Sequence, residues 1–146
     1  MRELPRQLSA DALEELFEGR TALVERLAEL EDPLEQADRV LAAMSEEEKL
    51  EALDAHPAIG RTKDLSARSA LEQGSDTDPA VLAELAYLNQ VYEEKFGFRF
   101  VVFVAGRSKR DVLEVLRTRI GSTREEELET GCRELVAIAR DRWTRT

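Results

Sequence analysis

Only one run in this chain reads as β-structure, and nothing pairs with it. FRFVVFVA, residues 98–105, is rich in aromatic and β-branched side chains and lacks a helical period. A strand needs a neighbour to bond its N–H and C=O groups. None of the rest of the 146 residues offers a second strand. A sheet is therefore excluded, and the core has to be built from helices. The run itself reads as a buried extended segment that links helices and keeps main-chain groups free for other bonds.

Helix signals fill the remainder. Ser9 caps a helix across LSADALEELFEG, with Leu8 and Leu13 as a hydrophobic staple and Gly19 as the stop. Leu23, Leu27 and Leu30 recur at helical spacing within residues 20–31. Asp32-Pro33-Leu34-Glu35 reads as a capping box with proline at the first helical position, continued by Val40, Leu41 and Met44. Ser45 and Glu48 form a second box, whose helix runs into His56. Pro57 must end it, because proline disfavours helical backbone in the residue before it. LSARSALEQG, residues 65–74, is a short helix capped by Ser66. Asp78-Pro79 opens a long helix through Lys95, stopped by Gly97, and Ser108 with Asp111 and Thr123 with Glu126 open two more. The pattern predicts an all-α, single-domain bundle over residues 1–146, with about seven or eight helices and one extended segment.

Composition narrows the functions. The net charge of -10 counts against nucleic acid and against an anionic membrane surface, since both call for a basic face. A small anionic ligand stays possible, because a few arginines can override the global field. No apolar run approaches the ~20 residues that span a bilayer. The N-terminal MRELPRQLSADALEE has no signal-peptide character and RDRWTRT no sorting address, so the expected location is cytoplasmic. With Cys132 alone, no disulfide forms within the chain and no cysteine-rich metal site exists; no metal is expected.

Several residues could carry chemistry. His56, the single histidine, is presented at a helix end beside Pro57. It is either an exposed turn residue or an acid–base group suited to neutral pH. Ser69, Glu72 and Gln73 share one face of the short helix, either as a solvated face or as a wall able to bond a ureido or amide group. Arg142, near the end of the last helix, reads by itself as a surface arginine favouring the helix dipole, with a fork for a substrate carboxylate as the other reading. Phe96, Phe98, Phe100 and Phe103 mostly read as core, and Cys132 as packing.

In order, HPAIG, SALEQ, LNQVYEEKFGFRFVVFVAGRS and ELVAIARDRW resemble the 2-oxo-4-hydroxy-4-carboxy-5-ureidoimidazoline (OHCU) decarboxylase family of urate breakdown. The resemblance covers nearly the whole chain and is weakest over the first thirty residues. It implies an all-α homodimer without a cofactor that decarboxylates a ureidoimidazoline carboxylate to (S)-allantoin. It makes His56 and Glu72 the catalytic residues. Pro57, Ser69 and Gln73 would line the substrate, Arg142 would grip its oxygens, and Phe100, Val101 and Val102 would offer it main-chain groups. Two positions depart from the family pattern: the loop between Pro57 and Ser69 is short, and Ser122 stands where asparagine is common. A non-catalytic helical module, or an enzyme for another ureido acid, are the competing readings.

Overall fold

Helices form where the caps place them. The computed structural model describes residues 3–58 and 78–145. Among these are seven helices and no strand: α1 Ala10–Phe17, α2 Ala22–Ala28, α3 Pro33–Ala43, α4 Glu46–Asp54, α5 Pro79–Phe96, α6 Lys109–Ile120 and α7 Arg124–Arg145. The short helix expected at residues 65–74 lies outside the described residues. None of the described helices is long and apolar enough to cross a membrane.

The capping chemistry is visible in the bonds. Ser9 Oγ accepts from Ala12 N–H at 3.1 Å, and Ser108 Oγ accepts from Asp111 N–H at 3.1 Å. At Ser45–Glu48 both halves of the capping box are present, and Thr123–Glu126 repeats it. Each box satisfies two N–H groups that the first turn leaves open.

Two expected boundaries are built differently. Asp32 makes no side-chain cap; it adopts a left-handed backbone, φ 51°, and its N–H donates to Arg6 O at 2.7 Å. The N-terminal segment thus claims the residue that was expected to serve the helix, while Pro33 still starts it. α1 stops not on Gly19 but one residue earlier, on Glu18 in the left-handed region, φ 64°. Gly19 serves a different need. A Cβ there would lie 3.1 Å from Ala55 Cβ, so the bare backbone lets the start of the α1–α2 turn lie against the end of α4.

α7 is the hub. It packs against α1, α3 and α4, while α5 and α6 form a second pair. The segment after α5 joins the two groups. Phe98, Phe100, Val101, Val102 and Val104 are buried along it, and Phe103 is half-buried. Tyr92 of α5 gathers Phe96, Phe98 and Phe100 with ring centroids 4.6, 6.0 and 5.1 Å away. Tilted and edge-on aromatic contacts of this kind add to the area they bury. The expected extended, core-buried linker is what the structure contains.

Polar ties fix the linker. Buried Arg119 of α6 donates from Nη1 to Val101 O at 2.8 Å and from Nε to Glu127 Oε1 of α7 at 2.8 Å. Tyr92 Oη donates to the same carboxylate oxygen at 2.7 Å, and the guanidinium lies 4.6 Å above the Phe100 ring. One ion pair therefore binds α5, α6, α7 and the linker together.

Candidate active site

The end of α4 sets His56. Its N–H bonds Leu53 O at 3.1 Å in a last tight turn, and Pro57, which is buried, prevents any continuation. Arg99 of the linker then grips this end. Its N–H donates to Asp54 Oδ1 at 3.0 Å, and its Nη1 donates to His56 O at 2.7 Å and Asp54 O at 3.3 Å. A cation on the last carbonyls of a helix satisfies acceptors that have no intrahelical partner. Glu93 lies 3.8 Å from Arg99 Nε and balances its charge.

The imidazole is left in an unusual state. Its Nδ1 is buried and has no hydrogen-bond partner among the described residues. Burial pushes the His56 pKa down from 6.5 to about 4, helped by the charges of Arg142 and Arg99 and opposed by Glu18. A neutral imidazole at physiological pH can accept a proton, and a buried orphan nitrogen is where an exchangeable group is ordinarily satisfied by a bound partner.

Arg142 corrects the sequence reading. Taken alone it read as a surface arginine, yet its side chain is 1% exposed. Nη1 donates to Leu16 O at 3.0 Å and pairs with Glu18 Oε1 at 3.0 Å. The reason is long range: the left-handed end of α1 arrives beside the last turns of α7 and offers both a carbonyl and a carboxylate. An isolated helix pattern cannot show that. The charge of Arg142 is one of the causes that lower the His56 pKa, although the two residues stand 86 positions apart in the chain.

The linker contributes main chain. Val101 O is taken by Arg119, and Phe103 N–H by Glu134 Oε1 of α7 at 3.2 Å. Among the described residues, no hydrogen bond reaches the N–H of Phe100, Val101 or Val102. These three follow directly on Arg99, whose guanidinium holds the His56 carbonyl. Ser69, Glu72 and Gln73 lie outside the described residues.

Glu18 and Arg99 are the site-forming residues that sequence reasoning missed. Arg99 carried a faint signal, as the single cation inside an otherwise apolar run. Glu18 carried none, because its role depends on a backbone conformation normally reserved for glycine.

A family model described as OHCU decarboxylase matches residues 2–144. The chain belongs to the OHCU decarboxylase family. Among curated members of that family's kind, the 2-oxo-4-hydroxy-4-carboxy-5-ureidoimidazoline decarboxylase of Halalkalicoccus jeotgali is 29% identical over 140 residues, covering 88% of this chain and 79% of the relative. The uric acid degradation bifunctional protein PucL of Bacillus subtilis is 29% identical over 152 residues, with 97% of this chain covered. The corresponding bifunctional protein TTL of Arabidopsis thaliana is 37% identical over 98 residues, or 61% of this chain. The chain spans only 31% and 30% of the length of these two bifunctional relatives. A crystal structure of OHCU decarboxylase in the presence of (S)-allantoin shares the family fold, with TM-score 0.75 at 24% identity over 92% of this chain and 96% of that one. An (S)-allantoin synthase structure superposes with TM-score 0.67 at 25% identity, over 91% of this chain and 47% of that one.

Proposed function

We propose that this chain decarboxylates 2-oxo-4-hydroxy-4-carboxy-5-ureidoimidazoline to (S)-allantoin in urate degradation. The observation that carries the proposal is the family match over residues 2–144, joined to a half-buried, neutral His56 that feels the charge of a buried Arg142. An acid–base group and a fixed cation are what this reaction asks of a protein.

The chemistry needs little more. Breaking the bond to the carboxylate releases CO₂ and leaves an electron pair that the adjacent ring C=N absorbs. The ring nitrogen that received the pair takes up a proton from solvent, the 4-hydroxyl loses its proton as the ring carbonyl forms, and a proton is added to one face of the neighbouring carbon. The substrate is its own electron sink, so the proposal includes no cofactor and no metal. The protein orients the scissile bond and moves the protons. His56, unprotonated before substrate arrives, takes the hydroxyl proton in this scheme. Arg142 holds the substrate's anionic oxygens. The N–H groups of Phe100, Val101 and Val102, which take no bond among the described residues, bond the ring, and Pro57 shapes the wall beside it. Glu72, with Ser69 and Gln73, holds the ureido group and shares the proton transfers; this part rests on the resemblance alone. Homodimeric assembly rests on the same resemblance. A cytoplasmic location fits a sequence with one cysteine.

The test follows circular dichroism after urate has been oxidised fully by urate oxidase and hydroxyisourate hydrolase. The (S)-allantoin signal is expected to grow well ahead of the uncatalysed trace, and His56→Ala to abolish the gain. A folded wild-type protein whose trace matches the blank refutes the proposal and turns attention to another ureido acid.

A further inference from the structure

Glu18 stands where glycine is the ordinary choice. α1 ends on it at φ 64°, in the left-handed region that side chains disfavour, while the glycine that follows has no such conformation. Strain of this kind persists where the surroundings over-determine it, commonly at functional sites. Here the surroundings are specific. Gly19 is committed to its contact with Ala55, which also lies directly before His56. Glu18 is thereby turned toward α7, with its carboxylate 3.0 Å from Arg142 Nη1 and its side chain only 15% exposed. Leu16 O accepts from the same Nη1 at 3.0 Å, so one turn of α1 holds the guanidinium with two anchors. A buried arginine needs a counter-charge. A counter-charge alone could come from any unstrained helical position; a strained one beside a second anchor fixes direction as well.

We infer that Glu18 is a positioning residue: its carboxylate, aimed by the left-handed end of α1, sets the orientation of the Arg142 guanidinium at the site that holds His56. The kinetic consequence rests on the proposed decarboxylation; the geometric claim does not. Glu18 touches no reacting atom in this scheme. It acts through Arg142.

Two variants separate the parts. Glu18→Gly suits the left-handed backbone and removes the carboxylate. Glu18→Gln keeps an acceptor and removes the charge. With the ureidoimidazoline followed by circular dichroism, Glu18→Gly is expected to raise KM about tenfold or more with kcat within about threefold, and Glu18→Gln to fall between it and wild type. In an Arg142→Met background, Glu18→Gly is expected to add nothing further to KM. An unchanged KM in Glu18→Gly, or KM effects of the two substitutions that multiply, overturns the inference. A substrate-free arm uses the Arg142 Nε–Hε resonance, identified by its loss in Arg142→Met. Its solvent exchange is expected to be slow in wild type and in Glu18→Gln and about tenfold faster in Glu18→Gly. Equal exchange in all three overturns the inference even if the enzyme assay succeeds. Wild type without turnover, but with the expected exchange pattern, sinks the decarboxylase reading and leaves the role of Glu18 standing. Should Glu18→Gly fail to fold, Glu18→Gln carries the kinetic arm, and wild-type KM in it overturns the inference.

Discussion

His56 is the single histidine of the chain, so its titration can be read without assignment. Burial, aided by Arg142 and Arg99, lowers its pKa from 6.5 to about 4. That difference of roughly 2.5 units corresponds to about 3 kcal/mol between protonation states. The sign follows from proton counting. Between pH 6.5 and 4 the unfolded chain binds a proton at His56 that the folded protein refuses. The stability tied to the neutral imidazole is therefore intact above about pH 6.5, shrinks as pH falls toward 4, and is fully lost below. Protein labelled with carbon-13 in the imidazole is expected to show one Cε1–H resonance with a midpoint near 4, moving to the ordinary value in concentrated urea. Urea unfolding at pH 7 and pH 4 provides the energetic half. Wild type should lose about 3 kcal/mol more than His56→Asn over that interval, since the carboxylates common to both cancel. Arg142→Met should raise the midpoint only part of the way, because burial is the larger cause. A midpoint between 6 and 7 in folded protein would falsify the picture of a desolvated histidine, and with it the neutral base in the proposed chemistry.

Other perturbations probe the scaffold. Glu127→Ala strips the carboxylate from buried Arg119 and from Tyr92, and should cost about 3–5 kcal/mol in urea unfolding; a loss below 1 kcal/mol would mean that the pair is dispensable to the α5–α6–α7 junction. Gly19→Ala places a methyl 3.1 Å from Ala55 Cβ, and about 1–3 kcal/mol of destabilisation is expected, with no loss if the turn simply shifts aside. The Cys132 thiol is buried and its pKa is pushed up from 9.0 to about 11, so modification in native protein at pH 8 should be roughly a hundredfold slower than in urea-unfolded protein. Equal rates would contradict the burial of the thiol.

Local chemistry made much of the fold readable. Ser9, Ser45, Ser108 and Thr123 announce helix starts because each cap is completed within three residues. The lone β-like run is legible for the opposite reason: what it lacks, a partner strand, can be checked by scanning the whole chain. His56 was presented at a helix end because Pro57 acts on its immediate neighbour. The failures share a different physical scale. Asp32 answers to Arg6 and Arg142 answers to Leu16 and Glu18, and no local pattern encodes such pairings. Glu18 was hidden twice, by distance and by a backbone state that its residue type disfavours. Arg142 could be ranked as a site residue only through the family resemblance, since its own neighbours along the helix suggest the surface.

The grip of Arg99 on Asp54 and His56 has a consequence for how such a protein can change. It closes a ring of chain 45 residues around, from Asp54 to Arg99. Closure entropy rises slowly with length, so even doubling such a loop costs only about 0.6 kcal/mol. Residues could be added within such a ring over generations, or by grafting in the laboratory, while the imidazole kept its address. The clamp ties the place of His56 to Arg99 rather than to the length of chain that runs between them.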